Sequence, residues 1–329
     1  MANLFLGPGV KRVFLTGGAG FIGSHIVDSL LPQGYEVTVY DNLSNGHLEF
    51  IERHLNHPRF RFVHADCLDH LRVSEAMRGH DLIWHMAANT DIIGSHTQPD
   101  RDLKDCVIAT FNVLEAMRQN GIKPILFASS GAVYGQLCLE THVSEDAGPL
   151  MPMSTYAAGK IGSEAFISCY CHLYGLRGLM FRFGNVLGSR LTHGVIYDFV
   201  RKLRESPREL LILGDGTQEK NYFLTEECID GMAWAYRNVT LTDDTPCDVF
   251  NLGTTTVTRV TDIARIVIEE MGLADVDVKI QGAKLAWLGD QPKVHFTVDK
   301  IGQLGWYCKR SSDDAVRTCV RRVLGKEAG

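Results

Sequence analysis

Thr16-Gly17-Gly18-Ala19-Gly20-Phe21-Ile22-Gly23 follows the apolar run Val13-Phe14-Leu15 and opens a helical pattern over residues 21–31. Glycines at Gly17, Gly20 and Gly23, placed between a strand and a helix, serve a physical purpose. Without Cβ atoms the backbone turns tightly and lets a pyrophosphate approach. The helix start then offers free N–H groups and a positive dipole end to it. The third glycine lets helix and strand pack closely. The stretch predicts the phosphate cradle of a dinucleotide-binding α/β domain.

The residues around the cradle agree with this reading. A second strand, 36–40, ends at Asp41, 24 residues after Gly17. A carboxylate there binds the adenosine ribose hydroxyls and repels a 2′-phosphate, so NAD is expected over NADP. Asn42, Ser44 and Asn45 suit the same ribose. Asp66 follows the third strand and suits the adenine amino group or a helix N-cap. Phe21 and Ile22 at the helix start, Cys67 beside Asp66, and Ala87 and Ala88 after the fourth strand complete the expected cofactor contacts.

Short apolar runs alternate with helical patterns through the first half. Strands are expected at 13–15, 36–40, 61–63, 82–85, 124–127 and 179–183. Helices are expected at 21–31, 102–119 and 156–174, with Val107, Phe111, Leu114 and Met117 on one face of the middle one. Apolar strands spaced by helices predict a doubly wound, Rossmann-like parallel sheet covered on both faces. Residues 1–185 are expected to form this domain, with part of 225–260 returning to it. Residues 186–329 are expected to form a smaller α+β substrate domain, with helices at 195–203, 226–237, 261–271 and 312–324 and a strand at 248–252.

Tyr156 and Lys160 are four apart on a helix and share a face. A phenol titrates at roughly 10, and a nearby ammonium favours its phenolate, making it a general base. Ser130, expected just after the fifth strand, stands at the end of the sheet where ligands bind in open α/β folds. Ser130, Tyr156 and Lys160 together predict proton and hydride transfer at a carbinol.

TGGAGFIGSH, SSGAVYG, YAAGK and Phe183-Gly184-Asn185-Val186-Leu187-Gly188 resemble the extended short-chain dehydrogenase/reductase family over nearly the whole chain. That family acts on nucleotide-linked sugars, and the sequence is most similar to its UDP-galactose 4-epimerase branch. The resemblance implies Ser130, Tyr156 and Lys160 as the catalytic set and NAD as cofactor. It also implies Asn185, Gly194, Val195, Lys220, Tyr222 and Asp290 as substrate contacts. Dehydratases of the family carry an Asp-Glu pair after the serine, and decarboxylases a Glu two residues before the VYG tyrosine. Here Gly131 and Ala132 hold those positions, which favours an epimerase over a dehydratase, a decarboxylase or a net dehydrogenase. Cys106 stands where the family often has an Asn that supports the active-site backbone. Lys220 stands where it has a diphosphate-binding Arg, and Leu285 or Trp287 where it has a second one. Lys284, Lys293 and His193 are candidate replacement cations. The resemblance further implies a homodimer formed through a four-helix bundle of helices 102–119 and 156–174.

The bulk numbers fit an ordinary globular enzyme. The chain has 329 residues, 45% hydrophobic and 22% charged, with a net charge of −6. That charge argues against nucleic acid or an anionic membrane as partner. Nine scattered cysteines without a CxxC pair suggest reduced thiols in the cytoplasm and no metal site. No apolar run approaches membrane-spanning length.

Overall fold

A computed structural model describes residues 5–92, 94–140, 142–283 and 291–327. A seven-stranded sheet has the order Cys247–Leu252, Arg177–Phe183, Pro124–Ser130, Leu82–His85, Arg12–Thr16, Glu36–Asp41, Phe60–His64. The pairings from Phe60–His64 across to Pro124–Ser130 are parallel. Strand order reverses beside Arg12–Thr16, whose neighbours are Glu36–Asp41 and Leu82–His85. In a doubly wound sheet that switch point is where a ligand crevice opens.

Both faces are buried, as the apolar strands require. Phe14, Tyr40, Ile83, Ile125 and Phe127 face a core completed by the helices His70–Met77, Ala109–Asn120 and Thr155–Tyr174. Val13 and Leu15 alternate to the other side and are also fully buried. The chain divides into two compact units. The first comprises Met1–Val133, Ser154–Arg182 and Ile229–Phe250, and the second Tyr134–Met153, Phe183–Cys228 and Asn251–Gly329. Residues 134–153 thus group with the later part of the chain, whereas the sequence pattern puts them in the first domain. No periodicity signal marks such a crossing. The second unit has its own core, in which Val195–Glu205, Val260–Met271 and Ser312–Val323 pack around Leu210, Ile212, Tyr222 and Leu224.

The helix expected at 102–119 is broken. Asp100–Asp102 leads into a π-turn, Leu103–Ile108, and only then into Ala109–Asn120. A π-turn adds a residue and rotates what precedes it. Leu114 and Met117 therefore face inward with Cys106, Thr110 and Val113, while Phe111 is half-exposed. The strand expected at 124–127 runs to Ser130, so Ser130 ends the strand and does not follow it.

Candidate functional site

The cradle is built from contacts that a side chain would destroy. Gly17 has φ +67°, and a Cβ there would lie 2.7 Å from the Ala87 backbone nitrogen. A Cβ on Gly23 would lie 2.1 Å from the Gly17 carbonyl oxygen. These two positions draw the first and fourth strands and the helix Phe21–Leu30 together at the switch point. Gly20 differs, because its Cβ would meet only the Gly17 oxygen, at 3.2 Å. The space beside it is open. Gly20 is also the N-cap of Phe21–Leu30, which has no side-chain cap and no acid in its first turn. An uncapped helix start beside open space fits a pyrophosphate.

Asp41 closes the other end. Its Oδ2 accepts the Ala19 N–H at 2.9 Å and its Oδ1 the Leu43 N–H at 2.8 Å. Each oxygen keeps a lone pair for a ribose hydroxyl. Burial raises the Asp41 carboxyl, opposed by these two backbone hydrogen bonds and by His64. Leu43 takes the left-handed conformation at φ 58°, and His47 N–H bonds the Ala19 carbonyl at 2.9 Å, folding the loop back on the cradle. Asn42, Ser44 and Asn45 are exposed on that loop. Asp66 accepts from Asn42 Nδ2 at 2.8 Å and from the Leu68 N–H at 2.8 Å. The helix N-cap after the third strand is Asp69, which corrects the capping alternative for Asp66. Cys67 is buried, and its carbonyl accepts from Asn112.

Ser130 and Tyr156 hydrogen-bond through their side chains. Ser130 Oγ also accepts the Ala132 N–H at 3.1 Å. Ser154 caps the helix Thr155–Tyr174 by accepting the Ala157 N–H, which fixes its first turn and hence Tyr156. Lys160 is buried, donates to the Ala128 carbonyl at 2.6 Å, and stands 5.7 Å from the centre of the Tyr156 ring. The acidities differ from the sequence expectation. Burial pushes the Tyr156 phenol up, with Cys106 and Asp102 acting the same way, and only the Ser130 hydrogen bond pulls it down. Burial likewise lowers Lys160. Burial of the phenol is what the four-residue spacing to Lys160 does not show.

Three polar assemblies around this set went unread in the sequence. In the first, Asp102, fully buried, accepts from Asn89 Nδ2 at 2.9 Å and from Thr155 Oγ1 at 2.6 Å, next to Tyr156. Cys106 lies beside it, and its sulfur takes the Asn89 backbone N–H. This keeps a contact to the backbone near the site where the family has Asn. In the second, Glu164 accepts from Ser129 Oγ at 2.5 Å and pairs with Arg182 through Nε and Nη2 at 3.0 and 2.8 Å. In the third, Thr16 Oγ1 and His85 Nδ1 are 2.6 Å apart, His85 Nε2 and Thr110 Oγ1 3.0 Å, and Thr110 and Ser163 hydroxyls 3.1 Å. Burial and Lys160 lower His85 to about 3, so it is neutral. A polar residue inside an apolar strand, such as His85 in Leu82-Ile83-Trp84-His85, was the available signal.

The candidate substrate residues lie in the second unit. Asn185 bonds the Asn221 carbonyl through both its backbone N–H, at 2.9 Å, and its Nδ2, at 3.3 Å. Gly194, at φ +105°, is the N-cap of Val195–Glu205, which has no side-chain cap. Lys220 lies in a short strand between Thr258–Arg259 and Lys293–Val294. Lys293 sits 3.6 Å from Glu219, which is also 3.2 Å from His295. Tyr222 is buried in the second core. Asp290, with Lys284, Leu285 and Trp287, lies outside the described residues.

The chain belongs to the NAD dependent epimerase/dehydratase family, whose model matches residues 13–253. A putative UDP-glucose 4-epimerase of Methanocaldococcus jannaschii is 32% identical over 89% of this chain and 92% of its own. The solved UDP-glucose 4-epimerase of Thermus thermophilus in complex with NAD is 31% identical, with TM-score 0.83 over 96% of this chain and 100% of that one. A dTDP-glucose 4,6-dehydratase of Streptomyces venezuelae is 27% identical, with TM-score 0.85 over 96% and 97%.

Proposed function

We propose that this chain is an NAD-dependent epimerase of nucleotide-activated sugars, inverting C4 of a UDP-glucose or UDP-galactose type substrate through a 4-keto intermediate. The observation that carries this is the joining of Ser130, Tyr156 and Lys160 in one unit with the cradle, while Gly131 and Ala132 supply no acid. Asp102, the carboxylate that acts on Tyr156, has its oxygens engaged by Asn89 and Thr155. It is therefore poorly placed for the extra proton transfers a dehydratase needs.

NAD, when bound, supplies the acceptor and donor of the C4 hydride. Gly17, Gly20, Phe21, Ile22 and Gly23 would hold its pyrophosphate. Asp41, with Asn42, Ser44 and Asn45, would hold the adenosine ribose, and Asp66, Cys67, Ala87 and Ala88 would line the remainder. Tyr156 takes the C4 hydroxyl proton and returns it to the C4 oxygen after the 4-ketosugar has turned over, Ser130 hydrogen-bonding that same oxygen. Burial raises the phenol, so the neutral Tyr156 is the resting form and is ready to act as the acid. Positive charge entering the site is what turns it into a base. Lys160 stands beside the Tyr156 ring and would donate to the nicotinamide ribose.

Dinucleotide binding falls to the first unit and nucleotide-sugar recognition to the second, through Asn185, Gly194, Val195, Lys220, Tyr222 and Asp290. The chain works in the cytoplasm, and its nine cysteines are all unbridged. It acts as a homodimer. Half-exposed Phe111 and Phe166, their rings 6.0 Å apart, and exposed Leu173 give the helices Ala109–Asn120 and Thr155–Tyr174 an apolar outer strip that a four-helix bundle would cover. A monomer mass by light scattering at micromolar concentration would remove the bundle.

Substrate deuterated at C4 tests the reaction. The epimerase returns the label to C4 with the carbon count unchanged. A dehydratase, the alternative that the Streptomyces relative brings to mind, carries the label to C6. Label in free reduced NAD would mean a dehydrogenase.

A further inference from the structure

Two thiols of the first unit meet where the chemistry above has no use for them. Cys171 is buried on the helix Thr155–Tyr174, about three turns beyond Lys160. Cys247 is part-exposed and opens the outermost strand, Cys247–Leu252. Gly178, on the adjoining strand Arg177–Phe183, leaves the room. A Cβ there would stand 3.1 Å from Cys171 Sγ and 3.5 Å from Cys247 Cβ. Both side chains therefore border the same glycine, and Cys247 Sγ donates to Ser168 Oγ at 3.7 Å. Cys169, two residues before Cys171, is exposed.

We propose that Cys171 and Cys247 form a modification site, a dithiol that a hydroperoxide closes to a disulfide joining the helix Thr155–Tyr174 to the strand Cys247–Leu252. The two sulfurs have unequal roles. Cys247 is reachable from solvent, and the Cys171 thiol and the Ser168 hydroxyl both favour its thiolate, so it is the attacking sulfur. The interaction between the two thiols draws Cys247 down and, together with burial, holds Cys171 up.

The Cys247 thiolate attacks one oxygen of hydrogen peroxide and the O–O bond breaks. Cys247 becomes a sulfenic acid, and the departing hydroxide takes the Cys171 proton and leaves as water. The Cys171 sulfur then attacks the Cys247 sulfur. The S–S bond forms, the S–O bond breaks, and hydroxide leaves and is protonated to a second water. Two thiols and one peroxide give one disulfide and two waters, with two electrons passing from sulfur to oxygen.

The full-length protein is treated with a modest excess of hydrogen peroxide, its remaining thiols are alkylated after unfolding, and it is digested without reductant. Mass spectrometry is expected to find the Cys171 peptide joined to the Cys247 peptide, lighter by two hydrogens than the reduced pair and separable by reductant. The link persists in Cys169→Ala and disappears in Cys247→Ser. Recovery of both residues alkylated would overturn the proposal. So would Cys247 as a sulfinic acid beside an alkylated Cys171, or a link made through Cys169. Because the decisive measurement is on the unsubstituted protein, it does not depend on any variant folding.

Discussion

Replacing Glu164 with Leu should be among the most damaging single changes in the first unit, and the size of the effect follows from its partners. Glu164 and Arg182 side chains are 8% and 6% exposed, and Ser129 is buried against the same carboxylate. Leucine takes the Glu164 carboxylate away from the buried guanidinium, and breaking one side of a buried pair costs about 3–5 kcal/mol. The Ser129 hydroxyl also loses its acceptor, which adds about 1–3 kcal/mol. Against a total stability of roughly 5–15 kcal/mol, such a loss threatens folding at body temperature. The double change Glu164→Leu with Arg182→Met removes both charges and should be milder than either single one, because replacing a buried pair by apolar groups is often nearly neutral. Urea midpoints of the parent, the two single variants and the double variant measure this directly. If the double variant is destabilised by the sum of the singles, the pair does not act as a coupled buried unit and the reasoning fails.

Further outcomes follow from the same geometry. Tyr156→Phe should keep the fold and bound NAD while turnover falls by roughly a hundredfold or more; near-normal turnover would take Tyr156 out of the mechanism. Asp41→Asn should weaken NAD and narrow its preference over NADP, as read by titration of stripped protein; an unchanged preference would remove Asp41 from the ribose site. His85 is held neutral in the folded chain, at about 3 against 6.5. Between those values the unfolded chain binds the extra proton. The His85 contribution to stability is therefore fully present above about pH 6.5 and is lost towards pH 3, at up to about 1.4 kcal/mol per pH unit. The acid-side slope of stability should flatten in His85→Gln, and an identical slope would show that His85 does not titrate on unfolding.

The sheet, its helices and the cradle were legible because period and glycine spacing are local. Gly17, Gly20 and Gly23 had to follow a strand, and Asp41 had to end the next one. Other features depend on contacts between distant residues. The π-turn at Leu103–Ile108 carries no composition signal, since Leu103-Lys104-Asp105-Cys106-Val107-Ile108 reads as ordinary helix. The acidity of Tyr156 is not legible in the four-residue spacing to Lys160, because burial, joined by Cys106 and Asp102, pushes the phenol up. Glu164, Arg182 and Ser129 lie on three elements, and nothing in one of them announces the other two.

The buried run from Thr16 to Ser163 has a direction. Ser163 gives its only proton to the Gly159 carbonyl, 2.9 Å away, so it must receive one from Thr110. Thr110 then has nothing left to give His85, and Nε2 must carry the ring proton. Nδ1 is therefore bare and receives the Thr16 hydroxyl, whose oxygen in turn receives the N–H groups of Met86 and Ala87, each at 3.2 Å. Every group in this row has a settled partner only if all of them point the same way, from the crossing beside the glycines towards the helix that carries Tyr156. One imidazole tautomer is thus chosen by a serine two contacts distant. A second proton on His85 would set two donors face to face at Thr16 and oblige its hydroxyl to turn, so a change of charge in mid-sheet would be felt first at the backbone of Met86 and Ala87, on the rim of the cradle.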